Sequence, residues 1–146
     1  MHDVADDLLA ALAATSALRA IDDGRAAARP ARGGWSRKEI LGHLIDSAAN
    51  NHQRFVRMQQ VAHLELPGYA QDDWVRVSRH GARPWLDLVS LFETYNRFLA
   101  ALVRDLDPAA LSHTWTAPDG RRVDLAFVAR DYVAHLRHHL AQLTAP

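Results

Sequence analysis

The sequence predicts an all-α protein, a four-helix bundle. Three observations carry that prediction. Four segments place apolar residues at helical spacing. Capping residues and Gly/Pro breaks separate those segments. Hydrophobic residues make up 49% of the 146 residues, enough to fill one core, so residues 1–146 are read as a single domain.

The first helix is expected over 4–21. Leu8, Leu9, Leu12, Leu18 and Ile21 recur among alanines, and Asp3, Asp6 and Asp7 suit the positive end of its dipole. Gly24, Pro30, Gly33 and Gly34 then break the chain. Ser36 and Glu39 form a capping-box signature, and a long helix is expected over 37–61, with Trp35 and Ile40 placed for a hydrophobic staple. Leu66-Pro67-Gly68-Tyr69 breaks it, and a short helical piece is expected over 71–77. Pro84 opens a third long helix, 85–106, which Asp107-Pro108 ends. Residues 113–123 favour strand around a Pro118-Asp119-Gly120 turn, so a small hairpin or an extended loop precedes the last helix, 125–143. Both connections flanking the third helix are long enough for a crossover.

Composition removes several classes of function. The 17 basic and 17 acidic residues cancel, which gives no electrostatic case for nucleic acid or an anionic membrane. With no cysteine, disulfides, thiolate metal sites and a cysteine nucleophile are excluded. No stretch has the ~20 apolar residues of a membrane span, and residues 1–20 lack signal-peptide charge, so a cytoplasmic protein is expected. No phosphate loop, dinucleotide fingerprint, nucleophile elbow or H-E-x-x-H occurs.

Nine histidines direct attention to imidazole chemistry. His135 and His139 are four apart on the last helix, hence stacked on one face and able to reach one ion. His138 points away by about 100°. His43 lies among Leu41, Leu44 and Ile45. A lone histidine there is more often simply hydrogen-bonded, but beside the pair it completes an N₃ set with positions open to water or substrate. Asp46 shares the His43 face and can orient a ligand imidazole; Arg54 lies on the same stripe and can hold an anionic group, as can Arg137. A plain polar stripe explains Asp46 and Arg54 equally well. Tyr132 and Gln142 fall on the metal face and can contact a ligand, or merely pack. His52, His63, His80 and His113 are read as non-ligands.

The stretch Gly34-Trp35-Ser36-Arg37-Lys38-Glu39-Ile40-Leu41-Gly42-His43-Leu44-Ile45-Asp46-Ser47 resembles the second-helix signature of the DinB/YfiT-like superfamily. Residues 132–142, with His135, His138, His139 and Gln142, resemble its last-helix signature. Leu66-Pro67-Gly68-Tyr69 with Asp72-Asp73-Trp74 looks like its intervening loop. The resemblance implies up-down-down-up helix order and a metal held by His43, His135 and His139. It also implies zinc or nickel as the metal, and a homodimer.

Activities in such a family range from thiol-dependent S-transfer and isomerisation to metal-dependent hydrolysis, so fold alone does not fix the reaction. The expected function is a metal-dependent hydrolase or thiol transferase acting on a small molecule. Asp46 or Tyr132 would assist proton transfer, Arg54 and Gln142 would contact substrate or cofactor, and a low-molecular-weight thiol is the candidate co-substrate. The competing reading is a non-catalytic metal- or ligand-binding module of a stress-response type.

Overall fold

Four long helical segments pack as a ring in the computed structural model, which describes residues 1–144. The helices are α1 (His2–Ala11), α2 (Thr15–Arg19), α3 (Asp23–Ala27), α4 (Arg37–Arg57), α5 (Gln71–Ser78), α6 (Trp85–Arg104) and α7 (Leu125–Thr144). Helix α4 packs against α6 and α7, and α1 packs against the same two. Sequence neighbours α1 and α4 therefore sit on one diagonal, and α6 and α7 on the other. This is a crossover bundle, as the family resemblance implies. Its centre holds Leu8, Leu41, Leu44, Phe55, Phe92, Leu99 and Leu136, all fully buried. Burial of each such side chain is worth about 1.5–3 kcal/mol. No helix among the described residues is long and apolar enough to cross a membrane.

Local chemistry explains the boundaries. The capping box at α4 forms: Ser36 Oγ accepts from Glu39 N at 3.3 Å, and Glu39 Oε2 accepts from Ser36 N at 2.8 Å. The expected first helix is not continuous. A 3₁₀ turn at Leu12–Ala14 divides it, where the Thr15 hydroxyl donates back to Leu12 O at 2.7 Å and competes with the helical ladder. Helix α3 was hidden in a segment that reads as loop. It is capped by Asp22, whose Oδ1 accepts from Arg25 N at 2.9 Å. Helix α4 ends at Arg57, earlier than its apolar pattern implies.

The hairpin expected before the last helix exists as β2 (Thr114–Thr116) and β3 (Arg122–Asp124), paired antiparallel. A third strand, β1 (His63–Leu64), joins β2 in parallel, with His63 opposite Thr114. Two residues carry too little pattern to be read as a strand from sequence. The small sheet ties the α4–α5 connection to the α6–α7 connection and sets Trp115 beside α4.

Candidate metal centre

His43 sits on α4, 1% exposed, where every residue from Leu41 to Ala48 is buried. His135 and His139 stand one turn apart on the adjoining face of α7. The three side chains each offer a nitrogen within 4.8 Å of the others. His43 Nε2 and His135 Nε2 are 3.1 Å apart. Two nitrogens ~2.0–2.1 Å from one tetrahedral zinc are ~3.3–3.4 Å apart, so the donor set fits a single ion. The rings meet edge to face, with centroids 4.6–5.0 Å apart.

Burial holds the His43 and His135 imidazoles neutral, each lowered to about 4, with the neighbouring histidines adding to the effect. Burial likewise lowers His139, against a hydrogen bond to Gln142 that raises it. Neutral imidazoles present lone pairs, as metal ligation requires. His43 Nδ1 is buried and has no hydrogen-bond partner among the described residues. The Trp35 ring lies 5.0 Å from that imidazole.

The other expected site residues divide. Gln142 Oε1 accepts from His139 Nδ1 at 2.9 Å, while its amide donates to His138 Nε2 at 3.0 Å. His138 thus acts through Gln142, and His139 keeps Nε2 as its lone-pair nitrogen. Asp46 does not orient a ligand imidazole. Its Oδ2 pairs at 2.9 Å with Nε2 of His80, a residue that sequence placed in a loop and the fold buries. Gly42 makes that approach possible: a Cβ there would lie 2.1 Å from His80 Cγ.

Tyr132 is 2% exposed and its hydroxyl donates to Asn96 Oδ1. Burial pushes that hydroxyl far above its ordinary range. Arg137 pairs with Asp7 on α1, away from the site. His52, His63 and His113 are occupied by Tyr95, Thr114 and the Met58 carbonyl.

A cavity of about 220 Å³ opens between α4 and α7 beside His43 and His135. Ser47, Asn51 and Arg54 continue the α4 wall at helical spacing, and Val128, Asp131 and Tyr132 continue the α7 wall. Tyr69, Trp115 and Val123 close it from the connections. Sequence spacing holds the signal for Ser47 and Asp131, each about one turn from a histidine, and for Asn51, one turn beyond Ser47. Nothing local signals that Tyr69 or Trp115 reaches the cavity; one arrives from the α4–α5 connection and the other from strand β2.

Known proteins with similar chains bear on this site. A Bacillus mycoides (strain KBAB4) protein named "Putative metal-dependent hydrolase" is 27% identical over 113 residues, covering 77% of this chain and 65% of its own. An Oceanobacillus iheyensis protein of the same name is 26% identical over equal shares. The chain thus spans 65% of the length of these curated relatives.

Among solved structures, YfiT from Bacillus subtilis is described as a "probable metal-dependent hydrolase" with an unusual four-helix bundle topology. It superposes with a TM-score of 0.85 at 21% identity, over 97% of this chain and 82% of its own. A mycothiol-dependent maleylpyruvate isomerase superposes at 0.79 with 16% identity, over 99% of this chain and 59% of its own. At such identities the likeness concerns the fold. The family model of the DinB superfamily matches residues 5–143, and the chain belongs to that superfamily.

Proposed function

We propose that the protein is a metal-dependent hydrolase of a small molecule, holding one divalent cation, zinc or nickel, through His43, His135 and His139. The observation that carries this reading is the convergence of three imidazole nitrogens, two of them on the wall of a cavity. A bound divalent cation supplies Lewis acidity and lets a nucleophile form near neutral pH. The chain's own residues do the rest. Burial keeps His43 and His135 in the ligating form. Gln142 fixes the tautomer of His139. The Asp46–His80 pair anchors the segment after α5 against α4, one turn from His43, and Tyr69, Trp115 and Val123 limit what enters.

Three protein ligands favour catalysis over a structural staple, because structural zinc sites are closed by four. Among the described residues no carboxylate joins the histidine cluster. A second reading puts a low-molecular-weight thiol in the place of water. The fold shared with a mycothiol-dependent isomerase favours it.

Metal analysis of purified protein tests the site. The expected result is about one zinc or nickel per chain, lost in His139→Ala. Absence of stoichiometric metal, with uptake and melting unchanged in that variant, rejects the site. A screen of metal-loaded protein against esters, amides and thiol conjugates then tests catalysis. Hydrolysis that requires His43 and no added thiol supports the first reading, and a rate that requires thiol supports the second. Activity independent of His43 rejects both.

A further inference from the structure

Arg54 lines the same cavity as His43 and His135, and among the described residues no carboxylate forms an ion pair with it, although Asp131 acts on its charge from farther off. Its Nη1 donates to Asn51 Oδ1 at 3.0 Å, and its guanidinium carbon lies 4.1 Å from the centroid of the Trp115 ring. Trp115 is itself fixed, donating through Nε1 to Leu66 O at 2.8 Å. The Nε of Arg54 is buried with no hydrogen-bond partner among the described residues. Nε and the outer Nη share one edge of the planar group, so two parallel N–H groups lie beside a packed aromatic face, and a small shift of the side chain uncovers Nε to the cavity. Arg54 is half-buried, and the hydration its guanidinium loses is not replaced by an ion pair among the described residues. The other arginine of the cavity, Arg121, is already paired with Asp119 at 2.6 Å.

We propose that the Arg54 guanidinium is a carboxylate subsite, and that the molecule handled here is a small, elongated carboxylate whose reacting group lies at the three histidines. This rests on the reading of the His43–His135–His139 end as the reacting end. The edge geometry matches the two oxygens of a carboxylate in bidentate fashion. Arg54 is eleven residues beyond His43, which is about three turns and roughly 16 Å of helix axis. Its side chain leans back toward the α4 N-terminus. The ligand therefore reaches along the groove between α4 and α7, past Ser47 and Asn51. At about 220 Å³ the cavity falls below the ~300–1,000 Å³ typical of drug-sized ligands, which restricts the occupant to few atoms.

The test titrates butyrate, butyramide and inorganic phosphate into zinc-loaded full-length protein. It follows the Arg54 Nε–H resonance by ¹⁵N NMR, and zinc content is measured on the same samples. The expected result is a saturable shift of that resonance with butyrate and none with butyramide. Arg54→Gln should weaken butyrate at least tenfold with zinc content unchanged, and Arg54→Lys should recover only part of the loss. Butyrate that binds without moving the Nε–H resonance, or binds Arg54→Gln equally well, overturns the subsite. Tighter binding of phosphate than of butyrate overturns the carboxylate assignment. Loss of zinc with an intact Arg54 response rejects the metal reading and leaves the subsite standing.

Discussion

Each imidazole of the cluster must offer a lone pair, and its surroundings secure this in different ways. For His43 and His135 the means is burial. The unfolded chain protonates them near the ordinary 6.5, the folded chain only near about 4. Between those values the unfolded state binds more protons, so metal-free protein loses stability as pH falls from 6.5 toward 4, and their contribution is constant above 6.5. Urea denaturation across that range measures the slope, which should be shallower in His43→Gln. An unchanged slope in that variant contradicts the assignment. For His139 burial acts the same way, and Gln142 fixes which nitrogen keeps the lone pair. Replacing Gln142 by Ala should weaken metal binding about 10–100-fold with little change in melting of the metal-free protein, as measured by competition with a chelator.

Residue by residue, legibility followed distance along the chain. The His135–His139 pair and the Gln142 contact lie within one stretch of α7 and are open to spacing arguments. The Asp46–His80 pair is not, because it joins residues 34 apart through a loop whose burial no local pattern reveals.

Among elements, α4 carries the most. It supplies His43, the Arg54 stripe and the glycine that admits His80. Gly42→Ala forces a Cβ into the space of the His80 ring, so the α5–α6 connection must shift. The expected cost is about 1–3 kcal/mol, the range for overpacking, read by thermal or urea unfolding. An unchanged melting temperature would show that His80 moves aside freely. The four long helices were readable because each carries caps and a 3.6-residue period. The first was misread as continuous because alanine-rich sequence favours helix throughout, and only the Thr15 hydroxyl marks the interruption. Strand β1 escaped for the opposite reason: its pairing exists only once β2 is beside it.

On the scale of the whole molecule, the proposed ion would bridge two helices from different parts of the chain, α4 and α7. It binds the folded state and not the unfolded one, so metal should raise stability by about 2.7 kcal/mol at a free concentration 100 times its Kd. Differential scanning calorimetry with and without chelator checks this. Coincident melting curves would mean that the histidines hold nothing. Elsewhere Asp23 acts as a joint, accepting from Trp85 N and pairing with Lys38 Nζ, each at 2.8 Å. Lys38 and Trp85 both lower its carboxyl below the usual range, Lys38 most. Bundle order was legible through the family resemblance. Helix periodicity alone permits several ways of connecting four helices.

The parallel pairing of His63 with Thr114 has a kinetic side. These partners are 51 residues apart, with α5 and α6 between them. Local helices form early, whereas contacts of large sequence separation must await docking of what lies between. The sheet, and with it the Trp115 wall, is therefore completed late on the folding route. Substitutions at the β1–β2 contact should hasten unfolding and leave the refolding rate nearly unchanged. The meeting of His43 with His135 spans 92 residues and encloses the whole sheet, so by the same rule it comes no earlier than the sheet.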